Sequence, residues 1–360
     1  MNKDRLYVDI HVLQTVPPSC INRDDTGSPK TAVYGGVTRA RVSSQSWKKA
    51  MRDMFRDLFP EESLSLRTKK IISLLADELK KAGMEGDLAE TAKKAFELVE
   101  LKIKNEDVGT DALFFISRAQ AKALAKFIHE RPELLKDKIS KAEKEAMKAA
   151  LQENPGIDIA LFGRMVADDP TLNTDASAQV AHAISTHKVI NEYDYFTAVD
   201  DLAPEDNAGA AHIGTVEFNS STLYRYATVA VHALKEQLAE DTADAVAGFV
   251  RAFITSMPTG KQNTFANRTL PDAVVVALRK DQPVNLVGAF ERPVQAGEDG
   301  HAARSIQALV DQAQRLYQEY AGEPARTYVI GKGLETLGES VSLPQLLASL
   351  KTTLEKTGAV

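Results

Sequence analysis

Residues 43–58, SSQSWKKAMRDMFRDL, decide the fold, because they carry two chemically distinct faces on one period. Trp47, Met51, Met54, Phe55 and Leu58 recur at helical spacing and form an apolar stripe for a core. Gln45, Lys48, Lys49, Arg52 and Arg56 share the opposite face. With Ser43 or Ser44 as N-cap, the segment predicts a helix running to about Leu58 with one cationic side. Upstream, Tyr7 to Gln14 alternates as a strand, with Val8, Ile10 and Val12 on one face and Tyr7, His11 and Leu13 on the other. Pro17 to Gly36, rich in Pro, Gly, Asp and Ser, reads as loop.

Downstream, Glu61 to Asn154 turns to Ala, Leu, Lys and Glu with helical period, broken at Gly83, Gly109 and Pro132, which predicts four or so helices in an inserted subdomain. Strand-like alternation returns near Gln179 to Thr186 and from Leu223 to Val231. Between them, Tyr193 to Phe218 fits a long hairpin, with its turn near Gly209 and Gly214. A helix from Thr242 to Ser256, a polar loop from Thr259 to Asn267 and a β-branched run from Ala273 to Ala277 follow. The chain then predicts a helix near Ser305 to Tyr320, a strand at Thr327 to Ile330 and a helix near Pro344 to Glu355. With the two insertions set aside, the order is β-α-β-β-α-β, an α+β class shared by ferredoxin-like folds and RNA-recognition motifs.

Composition bounds the function classes. A 360-residue chain exceeds the usual single domain, and 44% hydrophobic with 26% charged residues is a globular balance. No apolar run approaches the roughly 18 residues that cross a bilayer, so no membrane partner is expected. The N-terminal Met1-Asn2-Lys3-Asp4-Arg5 leads into no signal-like core, which makes the cytoplasm the expected location. The lone Cys20 excludes an internal disulfide and reads as a buried thiol. Net charge is −6, yet Arg23 to Arg56 holds eight basic residues (Arg23, Lys30, Arg39, Arg41, Lys48, Lys49, Arg52, Arg56) against Asp24, Asp25 and Asp53. A basic patch on an acidic body is the result, and phosphate is its natural ligand.

Several constellations compete for a role. Gly35 and Gly36 allow close backbone approach, and the N-terminus of the helix offers free N–H groups beside its cationic face, which together suit phosphate. Thr259-Gly260-Lys261-Gln262-Asn263-Thr264 resembles a nucleotide-binding loop but has Thr255 where the first glycine belongs and Gln262 where the metal-binding hydroxyl belongs. Contact with a backbone phosphate or sugar stays compatible with it. Asp24 and Asp25 could hold a metal in a nuclease, although adjacent loop aspartates more often form turns or pair with a neighbour such as Arg23; Asp200 and Asp201 share that ambiguity. His182 and His187 are spaced onto different faces, against a shared metal. With no G-x-S-x-G, H-E-x-x-H or C-x-x-C, no familiar catalytic motif emerges and no cofactor is expected.

S-C-I-N-R-D-D from Ser19, followed by G-G-V-T-R-A-R-V-S-S-Q-S-W-K-K-A-M-R from Gly35, closely resembles the CasC (Cse-type) guide-RNA-binding backbone subunit of type I-E CRISPR Cascade. So do DIALFGRM at 158–165, AHAISTH at 181–187, DYFTAVDDL at 194–202 and HIGTVEF at 212–218. The resemblance covers most of the chain and is weakest at 60–154 and beyond His301. It implies an RNA-recognition-motif-like palm (1–59, 157–190 and 222–360), helical fingers (60–156) and a hairpin thumb (191–221). It further implies a non-enzymatic protein that polymerises with copies of itself along a CRISPR guide RNA, beside other Cascade subunits, while the guide pairs with target DNA. By matching position, Arg23, Lys30, Ser43, Gln45, Lys48, Lys49 and Arg52 would contact RNA, with Gly260, Lys261, Gln262 and Asn263 nearby. Arg164 and Met165 at the base of the fingers, and Phe196, Thr197 and Val199 on the thumb, would meet a displaced nucleotide. Related subunits of type III complexes cut RNA with a loop aspartate, which makes a metal-dependent endoribonuclease using Asp24 or Asp25 the alternative. Val37 and Thr38 depart from the basic character expected of the loop, and the palm strands lack the aromatic signature of single RNA-recognition motifs.

Overall fold

The structure, a computed structural model, describes residues 5–105, 109–110, 112–135, 139–198 and 212–356. Two compact units make up the chain: Met1–Asp53 with Val180–Thr228 and Phe249–Thr353, and Met54–Gln179 with Val229–Gly248 and Leu354–Val360.

The first unit is built on the long strand β1, Tyr7–Ser19. From Val8 to Gln14 every side chain is buried, so both faces of the strand are covered. The polar residues in that run are accordingly held by hydrogen bonds. Asp9 accepts from the Tyr226 hydroxyl at 3.0 Å and from the Val284 N–H at 2.8 Å, and His11 Nδ1 lies 2.8 Å from the Tyr224 hydroxyl.

Part of the expected loop after Pro17 is strand instead. β1 continues to Ser19, and β2 (Thr31–Tyr34) pairs antiparallel with β3 (Val37–Val42). The turn between them is Gly35-Gly36, with φ of 60° and 74°, the doubly left-handed geometry of a tight hairpin. As the outermost strand, β2 is covered on one side only, and its Thr-Ala-Val-Tyr run alternates between exposed and half-buried.

Across the sheet the order is Glu339–Ser340, Arg326–Ile330, Ala273–Arg279, β1, His212–Ala230, Ala183–Ser185, β3, β2. β1 runs antiparallel to Ala273–Arg279 from the pair Tyr7–Arg279 to the pair Leu13–Ala273. The strand expected from Leu223 is the second half of His212–Ala230, whose first half pairs with Glu192–Ala198 in a register from Glu192–Phe218 to Ala198–His212. The hairpin arms are therefore as expected, but Gly214 belongs to an arm and not to the turn. Val199, Asp200, Asp201 and Gly209 lie outside the described residues. Leu13, Tyr224, Val275, Leu286, Phe290 and Leu309 are among the residues of this unit's core.

In the second unit, helices Ile71–Lys81, Leu88–Leu98, Arg118–Glu130 and Lys141–Gln152 occupy the Ala/Leu/Lys/Glu stretch. Ser117 and Ser140 each close a reciprocal capping box, with Gln120 and Glu143 respectively. Ile71, Leu75, Phe96, Leu124 and Leu151 form the centre of its core. Helix Val231–Leu238, which the sequence reading missed, starts where a strand was expected to end.

Helix α1, Ser44–Leu58, begins in the first unit and ends in the second. Trp47, Met51 and Phe55 on its apolar stripe are fully buried, and Met54 and Leu58 are half-buried at its margin.

Candidate nucleic-acid interface

The N-terminus of α1 is tied to the loop that follows β1. Ser43 caps the helix, its hydroxyl accepting from the Ser46 N–H at 3.3 Å, while its own N–H donates to Asn22 Oδ1 at 2.8 Å. Lys30 N–H donates to the Asn22 carbonyl at 2.8 Å, so Asn22 braces both ends of the loop. Between them, Asp24 Oδ1 accepts from the Thr26 N–H (2.9 Å), the Thr26 hydroxyl (2.7 Å) and the Ser28 N–H (3.0 Å). The Thr26 hydroxyl chiefly, with help from those backbone groups, holds the Asp24 carboxyl below the usual range. Asp24 is thus a turn former, and Asp25 beside it is exposed.

The Thr259–Asn263 loop lies against the same segment. A Cβ at Gly260 would stand 2.3 Å from the Ile21 carbonyl oxygen, so only glycine permits the approach. Lys261 adopts a left-handed φ of 51°, and Gln262–Phe265 is a single helical turn. Arg23 and Lys261 both act on the buried Cys20 thiol, which burial nevertheless pushes up. The structure therefore brings Arg23, Lys30, Ser43, Gly260 and Lys261 to one loop cluster.

On the polar face of α1, Gln45, Lys49 and Arg56 are exposed and Lys48 and Arg52 half-buried. Burial pushes the Lys48 ammonium below its ordinary value. Lys49 pairs with Asp53 at 2.5 Å, so part of the stripe is neutralised on its own helix. On the inner face, Trp47 stacks 3.7 Å from the guanidinium of Arg225, which donates to Gln14 Oε1 at 2.6 Å and to the Phe253 carbonyl. Burial pushes Arg225 down from its ordinary value.

Two expectations about this patch are corrected. Arg39 is fully buried, donating to the carbonyls of Ser185 (3.0 Å), Phe290 (2.7 Å) and Tyr34 (3.1 Å), so its charge serves the core. Gly35 makes its close approach to the protein itself, where a Cβ would collide with the Glu291 carbonyl oxygen.

Arg164 requires a further correction. It is 5% exposed, and its guanidinium donates to the carbonyls of Leu172, Phe115 and Leu151 and to Gln120 Oε1 at 2.8–3.2 Å. Its donors are used inside the second unit and its charge is not presented to a ligand. The adjacent Met165 is the opposite case, 86% exposed at the rim of an open hollow of about 750 Å³ whose walls include Phe114, Val166 and Lys102. On the hairpin, Thr197 is exposed and Phe196 is partly exposed, its ring resting over Gly214. Tyr193 and Tyr195, 67% and 63% exposed, were not foreseen as surface residues, although the alternation of EYDYFTA could have placed them together on one face. His182 and His187 do not meet: His182 lies 3.3 Å from Arg41 Nη1, whereas His187 accepts from the Thr222 N–H at 3.0 Å and stacks on His301 at 3.8 Å. No helix among the described residues is long and apolar enough to cross a membrane.

A family model described as CT1975-like protein matches residues 8–355. Among solved structures, a chain of a "CRISPR RNA-guided surveillance complex, pre-nicking" aligns with a TM-score of 0.81 at 35% identity, over 96% of this chain and 99% of that one. A chain of a "CRISPR RNA-guided surveillance complex" aligns with a TM-score of 0.64 at 31% identity, again over 96% and 99%. A search of curated proteins returned no match.

Proposed function

Because the chain belongs to the CT1975-like protein family, we propose that it is the guide-RNA-binding backbone subunit of a type I-E Cascade surveillance complex. The observation that carries this reading is the cluster of Arg23, Lys30 and Lys261 around a capped helix N-terminus, continued by Lys48 and Arg52 on α1. Such a surface binds phosphates without reading bases, which fits a protein whose sequence specificity is delegated to guide–target pairing. The similarity to chains of CRISPR RNA-guided surveillance complexes supports guide RNA and other complex subunits as partners. In this reading copies polymerise along the guide, the guide pairs with target DNA, and the assembly works in the cytoplasm.

The sheet supports an RNA-recognition-motif-like palm, since Ala273–Arg279, β1, His212–Ala230 and Ala183–Ser185 lie side by side in the 4-1-3-2 order of a β-α-β-β-α-β chain. Met165 in the second unit and, separately, Phe196 and Thr197 on the hairpin of the first are exposed, as contact with nucleic acid requires. The subunit is proposed to be non-enzymatic, a reading supported by the turn-forming role of Asp24.

Coexpression with a CRISPR array tests the proposal. The purified protein is expected to carry protected RNA of uniform length; RNA-free protein overturns it. Regularly spaced cuts in added complementary RNA, dependent on magnesium and lost in Asp24→Ala or Asp25→Ala, would establish the nuclease instead.

A further inference from the structure

Arg41, on β3, lies between His182 and a small hollow that it shares with Lys30. Its Nη1 is 3.3 Å from His182 Nδ1, and its Nε donates to the Thr31 carbonyl at 3.1 Å. Arginine has only donors, so His182 Nδ1 must accept and the ring proton sits on Nε2. Arg41, though not His182, also lines a hollow of about 20 Å³ together with Lys30, Asn22, Asn219 and Ser221. That volume admits one water-sized atom, such as a single phosphoryl oxygen.

We propose that Lys30, Arg41 and His182 form a phosphate subsite for the RNA backbone, in which phosphate binding is coupled to proton uptake by His182. The coupling follows from geometry. A second proton on the imidazole would place its Nδ1–H against the Arg41 N–H at 3.3 Å, which is repulsive in the empty site. A phosphate oxygen accepting from both groups removes the repulsion and makes the imidazolium a third cation of the subsite. In the free protein, burial foremost, and then the charges of Arg41 and Lys30, hold His182 below its ordinary pKa. Arg41 and Lys30 are both cations, and both act in the same direction on the imidazole. The anion raises the pKa, so affinity must rise as pH falls through the interval between the bound and free values. The inference rests on the RNA-binding reading.

Anisotropy titrations of the full chain with a short unstructured RNA, at fixed ionic strength between about pH 5 and pH 8, test it, alongside histidine NMR with inorganic phosphate. Affinity is expected to fall about tenfold for each unit by which RNA raises the His182 pKa. Exposed His182→Gln should lose the pH dependence and bind more weakly than the wild type at the acid end, and Arg41→Gln should bind more weakly throughout; circular dichroism verifies both folds. RNA binding whose pH slope is unchanged in His182→Gln overturns the subsite and leaves the RNA reading standing. No RNA binding, with phosphate still raising the His182 pKa, overturns the RNA reading and keeps the subsite. Absence of both effects removes both.

Discussion

Charge was legible in the sequence at every residue, but its location was not. Arg39 and Arg164 belong by composition with the basic patch, yet each is buried and spends its donors on backbone carbonyls. A long guanidinium can satisfy carbonyls that no secondary structure reaches, and one chain's spacing does not distinguish that use from a surface contact. Arg164→Ala should therefore act on stability, lowering the unfolding free energy by about 3 kcal/mol or more because its buried acceptors lose their donor. Urea denaturation measures this, and an unchanged midpoint would return Arg164 to the surface. His11 and Asp9 give a second residue-scale expectation. Burial foremost lowers His11 from 6.5 to about 3, so its contribution to stability is present above pH 6.5 and lost as pH falls toward 3. Burial raises Asp9 from 3.8 to about 6, so its contribution is present in acid and lost as pH rises through that window. Between about pH 4 and pH 6 the two slopes oppose each other. Asp9→Asn should leave the His11 slope uncompensated, at up to about 1.4 kcal/mol per pH unit, in urea unfolding measured across that range.

At the scale of elements, long periodic segments were readable and junctions were not. The stripe on α1 declared itself because Trp47, Met51 and Phe55 fall on one face of a capped helix. Pro17–Gly36 was misread because its strand β2 is only four residues, Thr-Ala-Val-Tyr, embedded between polar, glycine-bearing stretches. Helix Val231–Leu238 was hidden because no glycine or proline separates it from the β-branched residues that end the preceding strand. The candidate site was half legible: its cations came from the sequence, whereas the approach of the Thr259–Asn263 loop to Cys20–Ile21 depends on a contact remote in the chain. Gly260→Ala tests that contact. The added Cβ meets backbone and not a movable side chain, so the loop must withdraw, at a cost of about 1–3 kcal/mol and with weaker RNA binding. A thermal melt and a binding titration that both match the wild type would show the loop to be irrelevant.

For the whole molecule, net charge misleads and distribution decides. A chain of charge −6 binds RNA only if its cations are gathered, as Arg23, Lys30 and Lys261 are. Lys48→Ala should weaken guide binding about equally for unrelated sequences, and should reduce the slope of log affinity against log salt by about 0.7 for the lost single-strand phosphate contact. A sequence-selective loss at unchanged slope would count against backbone gripping. β1 carries a mechanical consequence. At one end it is paired with Ala273–Arg279 over seven residue pairs, and at the other it hands the chain to the basic loop. Were the loop to hold RNA as proposed, tension along the strand would fall on hydrogen bonds that share the load together instead of opening one by one. The proposed grip would thereby be anchored against shear, and a guide drawn taut should detach from the side chains before the loop is torn from the sheet.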